Sequence, residues 1–205
     1  TFRFLLMVSS GKEIEGISLQ EIPQNPVRML NQWDNIDGSI ERGYAGNSFF
    51  YENGKVCVTK RITDYARLLC SVGINAISIN NVNVREGAEW LITEKHYKEL
   101  EQISGIFGKY GISMYLCIDF AAPMTLDGLP CADPLNEEVR NWWEKKCSEI
   151  FSRIPNMGGF LVKADSEGRP GPFAYGRNHA DGANMLARAV KPYGGTIIWR
   201  CFVYN

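Results

Sequence analysis

Short apolar runs and stretches with helical spacing take turns along this chain, and that alternation constrains its fold more than any other feature. Val27 to Trp33 (VRMLNQW), Asn75 to Asn80 (NAISIN), Ile112 to Ile118 (ISMYLCI), Gly158 to Val162 (GGFLV) and Gly195 to Tyr204 (GTIIWRCFVY) each read as a strand. Helical patterns fill the gaps. Tyr65, Ala66, Leu68, Leu69 and Val72 make the first stripe, with Gly73 placed for a left-handed cap. Tyr97, Leu100, Ile103, Ile106 and Phe107 make the second, opened by Thr93 and ended by Gly111. The third has Asp133 as N-cap, Pro134 at the first helical position, and Glu137 and Glu138 in the positive first turn. Its apolar face is Val139, Trp142, Trp143, Cys147, Ile150 and Phe151. Met185, Leu186, Ala189 and Val190 form the fourth, stopped by Pro192. Such a repeat predicts a parallel sheet covered by helices.

Two α/β architectures satisfy this repeat, an open doubly wound sheet and a (β/α)8 TIM barrel. A nucleotide-binding open sheet carries a Gly-rich turn directly after its first strand. Here that strand runs into WDNIDGSIERGYAG, which has no G-x-G-x-x-G, so the barrel is preferred. A complete barrel takes about 250 residues and eight strands. Residues 27–205 are therefore expected to be the first half of one, and the 205-residue chain a fragment of a longer protein. Residues 1–26 fall outside the repeat. Phe2 to Val8 fits strand or helix, GISLQEIPQNP looks like a connector, and together they read as the tail of a preceding domain.

Lys and Arg number 22 against 23 Asp and Glu, a net charge of -1, which supplies no electrostatic footprint for nucleic acid or an anionic membrane. No apolar run approaches the ~18 residues of a membrane-crossing helix. Among the six cysteines, Cys70 and Cys147 fall on apolar helix faces and Cys117 and Cys201 in apolar strand runs. They are expected as buried free thiols in a reducing compartment, hence a cytoplasmic location. Neither C-x-x-C spacing nor a histidine set at ligand spacing is present, so no metal and no cofactor is expected.

Barrel enzymes collect their chemistry at the C-terminal strand ends. Those ends offer Trp33 and Asp34, then Asn80, Asn81 and Asn83, then Asp119, then Lys163, Asp165 and Glu167, and finally Arg200. Carboxylates, amides, cations and an indole around one mouth suit a hydroxyl-rich, negatively charged substrate. In KADSEGRPGP an apolar strand ends in ionisable residues and a Gly/Pro loop that fixes their path. Glu167 is either a general acid or a solvated loop carboxylate, with Asp165 as a helix or turn cap. A lysine beside it favours the charged carboxylate, opposite to what an acid needs, unless the substrate's anion takes the lysine or the two side chains point apart. Lys163 suits anion binding better than a Schiff-base nucleophile, because the neighbouring carboxylates hold it protonated. Arg200, among apolar neighbours, needs either a structural ion pair or a substrate carboxylate. Trp33 either stacks on a sugar or packs. His96 is expected on a helix surface and His179 beside a helix start, and the loop Gly38 to Gly46 either shapes the mouth or is plain surface.

The segments NQWDNIDGSIERGYAG, SVGINAISINNVNV, FAAPMTLDGLPCADP, GGFLVKADSEGRPGPFAYGR and GGTIIWRCFVYN resemble the α-glucuronidases of glycoside hydrolase family 67. The resemblance spans residues 27–205. It implies an inverting hydrolase that removes α-1,2-linked (4-O-methyl-)glucuronic acid from the terminal xylose of glucuronoxylan-derived oligosaccharides. By it, Glu167 in the SEG-x-PGP motif is the catalytic acid. Lys163 and Arg200 hold the uronic acid and its carboxylate, and Trp33 and Val84 line the sugar pocket, Val84 beside the 4-O-methyl position. The family's base carboxylates come from later strands, beyond Asn205, and the contacts of a homodimer lie outside this segment. Gln32 stands where histidine is common and Asp165 where asparagine is common. A Schiff-base lyase using Lys163 and a non-catalytic acidic-sugar-binding barrel are the competing readings.

Overall fold

A computed structural model describes residues 2–18, 20, 22–84 and 86–201. Phe2–Ser9 form the helix α1, which settles the ambiguity at the N-terminus. The repeat then begins with β1 (Met29–Asn31). An antiparallel hairpin follows, β2 (Tyr51–Glu52) and β3 (Lys55–Val56), before helix α2 (Lys60–Ser71) and β4 (Ala76–Ser78). Helix α3 (Glu94–Gly108) leads to β5 (Ser113–Ile118). The short α4 (Ala122–Asp127) and the long α5 (Glu137–Arg153) precede β6 (Met157–Val162). Helix α6 (His179–Val190) and β7 (Thr196–Trp199) complete it. The expected strand residues 202–204 lie outside the described residues.

The main sheet has five strands in the order β1-β4-β5-β6-β7, every neighbouring pair parallel. Each new strand is added beside the last with no reversal. A doubly wound sheet reverses its strand order at the point where ligands bind, so the open alternative is excluded for this segment. The sheet is also bent. Five flat strands at ~4.8 Å spacing would hold the edge strands about 19 Å apart. Yet Arg200, just past β7, lays its guanidinium 5.2 Å from the ring centre of Trp33, just past β1. A guanidinium and an indole meet across that span only if the sheet curls toward its own axis. The architecture is an α/β half-barrel.

Glycine makes the closest strand approach. Gly159 has φ +141°, and a Cβ there would lie 1.9 Å from the Thr196 carbonyl oxygen of β7. The core lies between the sheet and its helices. Tyr97, Leu100, Ile103 and Phe107 of α3, Val139, Trp143, Cys147 and Ile150 of α5, and Met185, Leu186, Ala189 and Val190 of α6 are all buried there.

Several local expectations are corrected. The N-cap of α5 is Asn136, whose side chain accepts from the Glu138 and Val139 amides. Asp133 instead grips Arg177 in a two-pronged ion pair at 3.0 and 2.9 Å. That pair, first, holds the Asp133 carboxyl below its ordinary 3.8 despite partial burial. His96 is buried, not on the surface. Leu68 and Val72 are exposed because α2 buries a narrower face, Ile62, Ala66 and Leu69. Cys117 and Cys147 are buried, and burial pushes both thiols up to about 12, whereas Cys70 and Cys201 are exposed. The segment between β1 and α2 carries the hairpin and the fully buried Phe50 and Tyr51.

Candidate active site

The loop that follows β6 is wound tightly. Asp165 and Glu167 both have positive φ, +53° and +56°, as does Gly168 at +73°. Glu167 and Gly168 are the central pair of a turn closed by the Arg169 amide donating to the Ser166 carbonyl at 3.0 Å. Two consecutive positive φ values mark a type I′ turn, whose first central place ordinarily takes Asn, Asp or Gly. A glutamate held there is a strained choice of the kind that clusters at functional sites. The Asp165 carboxylate accepts from the Phe173 amide at 3.2 and 3.3 Å and so closes the loop on itself. Gly171 permits this: a Cβ on it would lie 2.4 Å from the Asp165 amide nitrogen. Asp165 thus serves as a cap for the helical turn Pro172–Tyr175, one of the roles considered for it.

Lys163 and Glu167 do not point apart. The Lys163 ammonium, its side chain 6% exposed, donates to Asn83 Oδ1 at 2.5 Å and to Glu167 Oε1 at 3.2 Å. Asn83 reaches it from the loop after β4, so this contact passes over the end of β5. Glu167 is the open partner, with 42% of its side chain exposed. It faces a cleft of about 580 Å³ that Asn83, Val84, Glu41 and Arg169 also line. Val84 is buried and holds φ at +27°, uncommon for a β-branched residue. Arg200 is exposed and stacks on Trp33, and among the described residues its guanidinium makes no ion pair. The structural ion pair considered for it is absent there, and its donor fork is open.

Other strand ends do structural work. Asn80 gives its amide to the Cys117 carbonyl at 2.9 Å and accepts from the Cys117 amide at 2.8 Å, extending the β4–β5 pairing by one side chain. Asn81 donates to Asn35 Oδ1 at 3.0 Å. Asp34 is buried beside Ser48, which donates at 2.5 Å, and burial outweighs that bond in raising its carboxyl above the ordinary 3.8. Burial likewise raises Asp119, against the opposing pull of the Ala121 amide and Arg169. His179 is the first residue of α6 and accepts from Trp199 Nε1 at 3.2 Å.

Of the residues singled out from sequence, Glu167 and Val84 line one cleft, Lys163 bonds Glu167 beside it, and Trp33 and Arg200 meet at the same strand-end face of the sheet. Sequence reasoning passed over Glu41, which lines the cleft, and Arg169, which reaches Asp119. Arg169 carried a usable signal: a cation two places after a carboxylate, inside a rigid loop.

A family model matches almost the whole chain. The chain belongs to the glycosyl hydrolase family 67, whose middle-domain model matches residues 7–205. Among curated relatives it is 44% identical over 211 residues to alpha-glucuronidase A of Emericella nidulans, covering 100% of this chain and 24% of that protein. Probable alpha-glucuronidase A of Aspergillus terreus is 46% identical over 205 residues, and that of Aspergillus fumigatus 45%, with the same coverage. The chain thus spans about a quarter of the length of these relatives.

Proposed function

We propose that this segment carries the acid half of an inverting α-glucuronidase, acting within a protein of its relatives' length on glucuronoxylan-derived oligosaccharides. The reaction breaks the α-1,2 bond between (4-O-methyl-)glucuronic acid and a terminal xylose. One observation carries the reading: a carboxyl at the tip of a rigid turn, open to a cleft, beside a sequestered ammonium. Glu167 gives its proton to the glycosidic oxygen as the C1–O bond breaks. Lys163 and Arg200 take the uronate carboxylate, Trp33 backs the sugar ring, and Val84 gives an apolar contact for the methyl ether. The uronate draws the Lys163 ammonium to itself and away from Glu167 Oε1, which it meets at 3.2 Å. Water attacks C1 from the opposite face and loses its proton to a second carboxylate, ~6.5–9.5 Å from the acid in inverting enzymes. That base belongs to later strands, the contacts of a homodimer lie outside this segment, and the location is read as cytoplasmic.

The hydrogen bonds of Lys163 count against the lyase alternative. An ammonium donating to Asn83 and to a carboxylate has no lone pair for a carbonyl carbon. The test is the anomer first released by the full-length enzyme, followed by proton NMR before mutarotation. β-Glucuronic acid is expected; the α-anomer, or no glucuronic acid, overturns the proposal.

A further inference from the structure

Arg169 sits two residues beyond Glu167 and turns away from the loop's own backbone to reach two other loops. Its Nη1 donates to Asp119 Oδ2 at 2.8 Å, and its Nη2 lies 4.0 Å from Glu89 Oε2. Both carboxylates are buried, at 5% and 7% exposure. Asp119 directly follows β5 and is itself fixed, its Oδ1 accepting from the Ala121 amide at 3.0 Å. Glu89 belongs to a single-turn segment, Ala88–Ile92, between β4 and α3. Among the described residues Oε2 of Glu89 makes no hydrogen bond, and the Arg169 guanidinium is the charge facing it. Arg169 therefore ties the turn that presents Glu167 to the loops after the two preceding strands.

We infer that Arg169 is a positioning residue, a strap that holds the Glu167 carboxyl at its working place in the cleft. The inference rests on Glu167 being the acid. The turn alone is a poor anchor, because its first central residue is an unfavoured glutamate whose side chain is 42% exposed. Its far side must be held by something stiff, and a planar fork between two buried carboxylates is stiff. Proton transfer to a leaving oxygen is sensitive to displacement: a misplacement of about 1 Å costs on the order of 100-fold.

The test uses the full-length enzyme with a glucuronoxylo-oligosaccharide, comparing R169A and R169K with the unmutated protein. R169A is expected to lower kcat about 10- to 100-fold with KM within about twofold, since the strap acts on the chemical step. R169K should recover part of that loss, because an ammonium can hold Asp119 but cannot fork between both carboxylates. An unchanged kcat, or a rise in KM at constant kcat, overturns the inference; the second result would make Arg169 a substrate contact. If R169A does not fold, D119N must show the same kcat loss at unchanged KM. If the unmutated enzyme releases no glucuronic acid, the hydrolase reading falls. The strap is then judged by hydrogen exchange alone: amides 165–169 must exchange faster in R169K, and equal rates end it.

Discussion

Replacing Glu167 by Gln keeps the side chain's size and the turn that presents it, and removes the one proton the reaction needs. The expected cost to folding is small. The side chain is 42% exposed and its partner Lys163 lies at 3.2 Å. Ion pairs this open are worth ~0–1 kcal/mol, which for a domain of this size shifts the melting temperature by no more than about 4 °C. The chemical loss should be far larger. General acid catalysis contributes ~10²–10⁴-fold, equal to about 3–5 kcal/mol of barrier. Binding should move the other way. With no carboxylate at 167, the Lys163 ammonium no longer shares its charge with that side chain, so affinity for the acidic oligosaccharide should hold or tighten. The assay pairs turnover, by release of glucuronic acid, with calorimetric titration of the oligosaccharide into the same protein. Turnover above about a tenth of native would refute the role assigned to Glu167. So would a loss of affinity matching the loss of rate, since it would make the residue a ligand and not an acid.

Replacing Arg200 by Ala should weaken binding of a glucuronic-acid-bearing ligand by roughly 10- to 100-fold, the worth of a charged hydrogen bond, while neutral xylo-oligosaccharide binding stays within about twofold; equal losses in titration would make the arginine structural. The Asp133–Arg177 pair should make stability sensitive to acid. Because the folded-state carboxyl lies below its ordinary 3.8, its contribution is present above that value and is lost as pH falls further. Denaturant titrations from pH 5 to 2.5 should therefore show a smaller drop for D133N than for the native chain. Gly159 to Ala should destabilise by more than about 2 kcal/mol, because a Cβ there meets the Thr196 carbonyl at 1.9 Å and the backbone is at φ +141°; an unaltered melting temperature would contradict that packing.

Much of the half-barrel was legible because strand cores here are unbroken apolar runs and helix faces keep their spacing, and the absence of a glycine-rich turn pointed away from the open sheet. What local rules missed has physical causes. Asp133 and Asn136 are both able caps within one short stretch. Asp133 is claimed by Arg177, 44 residues away, and that leaves the cap to Asn136. The small hairpin did carry a signal, Asn53-Gly54, with both residues at positive φ, but its strands are two residues each, too short for alternation to register. His96 looked exposed because it lies off the main stripe of α3, and it is buried in the structure. At the site, Lys163 and Glu167 announce themselves by ending an apolar strand in charge. Arg169, Asp119 and Glu89 come from three separate loops, and no spacing rule unites them before the sheet brings their ends together.

The contact between Trp33 and Arg200 gauges how round the sheet is. One side chain comes from each rim strand, so their separation widens if the intervening strands relax toward flatness, well before any strand is lost. A uronate gripped by that pair would staple the two rims and resist the flattening. Ligand and fold then reinforce one another, and an acidic sugar should protect the molecule against heat more than a neutral sugar of equal size.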